Sequence, residues 1–124
     1  MMPLSHEAAN AYRKVDLDAR IEASSGEDLT RICLEEAIAA LGQALAAIDQ
    51  RPQDVPQEPL SRAHGIAIWL ARGVSKDNPL GGPLTQFYGG VAATIARNLT
   101  RSSPLDIARA RNDLADILRA AREI

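Results

Sequence analysis

Residues 11–45 read AYRKVDLDARIEASSGEDLTRICLEEAIAALGQAL, and this stretch decides the fold. Ser25 is followed three residues later by Asp28, a pattern typical of a capped helix start. Apolar residues then recur every three or four positions, which predicts an amphipathic helix over 26–49. They cover more than half of the helix circumference. Such a surface needs cover, either from a central position in a bundle, from the preceding segment, or from a partner.

The segment before this helix, residues 1–22, is less apolar. Ala8, Tyr12, Val15 and Ala19 form a narrow stripe at helical spacing. A narrow stripe buries little area, so we predict a short N-terminal helix that is mobile and attaches loosely to the rest of the chain.

Three further amphipathic patterns follow, separated by short connectors, the first two of which contain proline. Residues 51–59, RPQDVPQEP, contain three prolines and no periodicity, which indicates a loop. Ser103, Pro104 and Asp106 together are typical of a helix start. No strand pattern is visible, so we predict an all-α fold, an antiparallel up-down four-helix bundle that forms a single domain over 1–124. The predicted bundle helices are 26–49, 60–74, 83–100 and 104–122.

The composition excludes several classes of protein. The chain has 124 residues, 46% of them hydrophobic, and a formal charge of −2, which fits a folded domain and does not favour a nucleic-acid partner. The longest apolar run, 37–48, is too short for a bilayer span, and no signal peptide is visible. Cys33 has no second cysteine to pair with. We therefore expect a cytoplasmic protein without membrane insertion.

No catalytic or metal-binding constellation is visible in the sequence. His6 and His64 are the only histidines, and paired cysteines and the HExxH pattern are absent. We expect no cofactor, no metal and no enzymatic activity. One alternative remains open, because a histidine on a helix of a four-helix bundle is the arrangement of histidine phosphotransfer domains. His64 is followed by Gly65 without the nearby lysine that is usual there, so the other interpretation is a surface or half-buried structural histidine.

Four short motifs occur in an order typical of one known family. They are AYRKV at 11–15, SSGEDL at 24–29, EAIAAL at 36–41 and GGPL at 81–84. In this order they resemble the flagellin-specific export chaperones, the FliS family. Gly26 stands where members usually have proline, and VAAT at 91–94 stands where they usually have Leu-Tyr-x-Tyr.

The resemblance implies a chaperone and not an enzyme. Members of the family bind the disordered C-terminal segment of flagellin in the bacterial cytoplasm, prevent its early polymerisation and deliver it to the flagellar type III export apparatus. We therefore expect flagellin and components of the export apparatus as partners. A helical adaptor for another exported protein remains an alternative. The residues expected to contact the client are Tyr12, Val15, Leu29, Ile32, Cys33, Glu36 and Leu41.

Overall fold

The computed structural model describes the backbone of residues 26–122 and the side chains of residues 28–121. These residues form an all-α four-helix bundle, as predicted, with no strand among them. The N-terminal helix predicted over 1–22 lies outside the described residues. The helices are α1 (Gly26–Gln50), α2 (Gln57–Arg72), α3 (Gly81–Thr100) and α4 (Pro104–Arg122).

The chain divides after Ile32, inside α1, into two units. The second unit contains the rest of α1 and the other three helices. Within it, α3 packs closely against α2 and less extensively against α4. Gln57 at the start of α2 donates a hydrogen bond of 2.8 Å to the carbonyl of Leu99 near the end of α3. The two helices are therefore antiparallel.

Helices α2 and α3 begin earlier than predicted, and in both of them a proline lies inside the first turn. Each helix begins two or three residues earlier than expected, so that Pro59 and Pro83 lie at the third helical position instead of at the start. The first backbone N–H groups of a helix have no acceptor inside it, so proline is accommodated there as well. The start of α4 is as predicted, because the Asp106 N–H donates to Ser103 Oγ at 3.3 Å.

The buried face of α1 is centred on small residues. Ala37, Ala40 and Ala44 are fully buried, while Ile38 and Leu45 are only half-buried. The apolar pattern alone favours the large side chains as the packing seam, but alanines allow neighbouring backbones to approach closely and so take the centre. Among residues 28–121, the largest fully buried side chains are Leu34, Leu41, Leu60, Ile95, Ile107, Leu114 and Asn98.

Asn98 is the buried polar residue that closes the turn between α3 and α4. Its side chain is 1% exposed, its Nδ2 donates to the Thr94 carbonyl at 2.8 Å, and its Oδ1 accepts from the Ser103 N–H at 2.5 Å. The Ser102 hydroxyl donates to the Asn98 carbonyl at 3.0 Å. These bonds satisfy backbone groups that the short connection would otherwise leave without partners. One side chain thereby fixes where α3 ends and α4 begins.

Candidate functional site

Most of the client-binding residues predicted on α1 are buried. Ile32 is 5% exposed, Cys33 2% and Leu41 0%, and Leu29 is half-buried. A buried side chain offers no surface to a partner while the helix keeps this packing. The sequence predicts that Ile32→Asp would weaken client binding and leave the helices intact, whereas the burial of Ile32 now indicates that the substitution would destabilise the fold. Tyr12 and Val15 lie outside the described residues, and client contact by all seven residues stays a prediction.

Glu36 takes part in a contact between α1 and α2 that sequence analysis missed. Arg62 on α2 lies with its Nε 3.7 Å from Glu36 Oε1, and its two terminal nitrogens donate to Glu58 at 2.7 Å and to Gln43 at 2.6 Å. The Arg62 side chain is only 14% exposed. Its Nε has no hydrogen-bond partner within the part of the chain that the structure describes. Glu36 therefore helps to hold two helices together.

The Cys33 thiol is poorly reactive as a nucleophile in this environment. Burial, and secondly the nearby charge of Glu36, raise the pKa of the Cys33 thiol above its ordinary value of 9.0. The thiolate is the nucleophilic form, and a raised pKa makes it scarcer at neutral pH. Cys33 is thus suited to packing, which agrees with the apolar neighbours that its sequence position predicts.

His64 is half-buried on α2. Among residues 28–121, no group of three or more histidine, cysteine, aspartate or glutamate side chains is placed so that it could hold a metal ion. None of the described helices is both long enough and apolar enough to cross a membrane.

An open groove of about 460 Å³ lies between α3 and α4. Apolar groups from both helices, Phe87, Val91 and Ala110, line it together with the bare backbone at Gly90. Phe87 also contacts Tyr88 edge to face, with ring centroids 5.5 Å apart, and Tyr88 is itself buried. The lining is thus anchored to the core. The remaining lining residues are polar or charged: Gln86, Thr94, Arg97, Asp106, Arg109 and Asp113.

The charged residues of this groove are available to a partner. Among residues 28–121, none of the described ion pairs involves Arg97, Asp106, Arg109 or Asp113. Arg97 donates to the Thr94 hydroxyl at 3.1 Å. An apolar lining flanked by charges of both signs suits an amphipathic peptide segment that carries complementary charges beside its apolar face.

Gly90, in the middle of α3, lines the groove, whereas the preceding Gly89 does not. A Cβ added at either position would meet no heavy atom of the described structure within 4 Å. A glycine inside a helix costs about 1 kcal/mol relative to alanine, and packing inside the described chain gives no reason for the pair. Gly42 and Gly65 are equally open inside other helices, so a helical glycine is no signal from which sequence analysis could have located the groove.

Comparison of the chain with protein-family models, with curated proteins and with solved structures finds no match. The features of the chain that bear on its function are therefore its own: the motifs in residues 11–45 and 81–84, the bundle, and the groove between α3 and α4.

Proposed function

We propose that this protein is an export chaperone that binds the disordered C-terminal segment of flagellin in the bacterial cytoplasm. It prevents premature polymerisation of flagellin and assists its delivery to the flagellar type III export apparatus, without enzymatic activity. The observation on which the proposal rests is the open groove between α3 and α4, with its apolar lining and its charges of both signs. The resemblance of residues 11–45 to the FliS family supplies the identity of the client.

The physical requirements of such a chaperone match a surface of this kind. A disordered client segment becomes helical only when its apolar face is covered, and it would self-associate if that face stayed exposed. A helix lying in an apolar groove removes this face from water, while the cost of ordering the segment limits the net affinity. Binding can therefore be specific and still reversible, as delivery requires.

The groove also changes where on the bundle the client is expected. Leu41, Cys33 and Ile32 are buried, so they contribute by supporting the bundle unless client binding rearranges α1. Leu29 is half-buried and keeps some accessible surface. We place the first client contact in the groove and retain Tyr12 and Val15 as contacts expected from the resemblance.

Titration calorimetry of the full chain with the C-terminal segment of flagellin from the same organism tests the proposal. We expect one-to-one binding with a negative heat-capacity change, because apolar surface is buried as the segment folds. A peptide of the same composition in scrambled order is the control. If neither heat nor co-elution is observed with the native segment, flagellin is not the client. Binding of a different exported protein instead would favour the adaptor function.

A further inference from the structure

We infer that the groove between α3 and α4 seats a single amphipathic helix with a bulky apolar side chain over Gly90 and an acidic residue flanked on both sides by basic residues. The inference deepens the proposed function, on which it rests in taking this helix to be part of the client. Three properties of the groove determine the chemistry of the helix: its length, the open space at Gly90, and the order of charges along α4.

The length of the groove suits a short helix. Its lining on α3 extends from Gln86 to Arg97, which corresponds to three helical turns or about 16 Å. The turn at Asn98 and Ser103 closes one end, because the hydrogen bonds there hold α3 and α4 together. An occupant of about three turns therefore fills the groove, and helical segments of that length become stable only when their apolar face is covered.

The open space at Gly90 fits a large side chain from outside. Gly90 is exposed and lies between Phe87 and Val91, which provide apolar walls. Gly90 lines the groove, and an added Cβ would meet no described heavy atom within 4 Å, so the space above it is open to an occupant. A leucine-sized or larger side chain of the occupant would bury its apolar area there.

The charges on α4 give the occupant its orientation. Asp106, Arg109 and Asp113 line the groove from α4 at intervals of about one helical turn, and Arg97 lines it from α3; none of the four takes part in an ion pair among the described residues. An occupant helix with an acidic residue opposite Arg109, and basic residues one turn before and after it, would pair with all three charges of α4. The opposite order would place like charges together, which disfavours binding.

A matched pair of glycine variants tests the inference. Gly90→Leu fills the groove, whereas Gly89→Leu adds the same side chain to the neighbouring exposed position outside it. The probes are two fluorescent peptides of about fourteen residues: a designed amphipathic helix with the basic–acidic–basic order, and the same helix with all three charges reversed. Binding is measured by anisotropy, and circular dichroism checks that both variants melt like the unaltered protein.

We expect the first peptide to bind the unaltered protein and Gly89→Leu equally well, and Gly90→Leu at least about tenfold more weakly. The charge-reversed peptide should bind the unaltered protein more weakly than the first. Equal binding by the two variants, or no binding of the designed peptide to the unaltered protein, would overturn the inference. So would a concentration-dependent dimer that Gly90→Leu dissociates, because a second copy would then occupy the groove. Binding of the designed peptide but not of the flagellin segment would overturn the choice of client and leave the groove assignment intact.

Discussion

On α1, Ala37, Ala40 and Ala44 are fully buried, whereas on α3, Gly89 and Gly90 face open space. Both helices place small residues in their middle turns, with opposite results. The alanines of α1 are part of the buried core. On α3, Gly90 lines the groove beside α4, against which α3 packs less extensively than against α2, whereas Gly89 lies outside the groove. Small residues in the middle of a helix are therefore buried or exposed according to the position of the neighbouring helices.

The largest expected effect on stability comes from the buried residues of α1. Leu41 is fully buried, so Leu41→Ala should lower the free energy of unfolding by about 3 kcal/mol through lost contacts and a cavity. Leu45→Ala, four residues later and half-buried, should cost clearly less. Urea denaturation measures both. Equal losses would mean that the stripe of α1 is not centred where the structure places it.

The next effect concerns the closed end of the groove. Asn98→Ala removes the acceptor of the Ser103 N–H and the donor to Thr94, so we expect a loss of about 2 kcal/mol in unfolding free energy. Ser102→Ala removes only one hydrogen bond to the Asn98 carbonyl and is the control. Denaturation of the two variants should separate them. An Asn98→Ala protein no less stable than Ser102→Ala would show that the turn does not depend on Asn98.

At the two exposed glycines in the middle of α3, substitution by alanine should stabilise the protein slightly. Gly89→Ala and Gly90→Ala should each raise the unfolding free energy by about 0.5–1 kcal/mol, because alanine is the better helix former and both positions have room for a Cβ. Thermal melts would measure the two changes. Loss of stability in Gly90→Ala alone would indicate that the groove is closed by packing, and the contrast between α1 and α3 would disappear.

The smallest effect is a pH dependence of stability. The pKa of the Cys33 thiol is raised by burial, so the folded protein keeps this proton at pH values where the unfolded chain has lost it. The free energy of unfolding should therefore fall as the pH rises above about 9, through the folded-state pKa. Cys33→Ala should flatten this slope even though the variant is less stable overall.

Tyr88 should contribute to the same alkaline loss of stability as Cys33. Burial raises the pKa of Tyr88 above its ordinary value of 10.0, so Tyr88→Phe should flatten the loss of stability at still higher pH. Denaturant midpoints at a series of alkaline pH values would separate the two contributions. A slope that neither substitution changes would mean that other groups dominate the alkaline titration.

Periodicity was sufficient to predict the fold, because the four apolar stripes and the Ser103 start of α4 are local features. The candidate site was harder to predict. A wide apolar arc on α1 does not distinguish a core helix from a binding helix, since the difference depends on neighbouring helices. The Arg62 contact joins residues far apart in sequence, and the groove depends on the spacing of α3 and α4. The open glycine at Gly90 is no local signal of it, because Gly42 and Gly65 are equally open in other helices.

The central claim is that a client binds between α3 and α4 and that the middle of α1 is core. Titration of the ¹⁵N-labelled protein with the C-terminal segment of flagellin, followed by amide chemical shifts, tests it most directly. The account predicts that the largest shifts occur at Gly90, Val91 and Ala110, with smaller changes at Ala37 and Leu41. Shifts concentrated on α1, or no shifts at saturating segment, would contradict it.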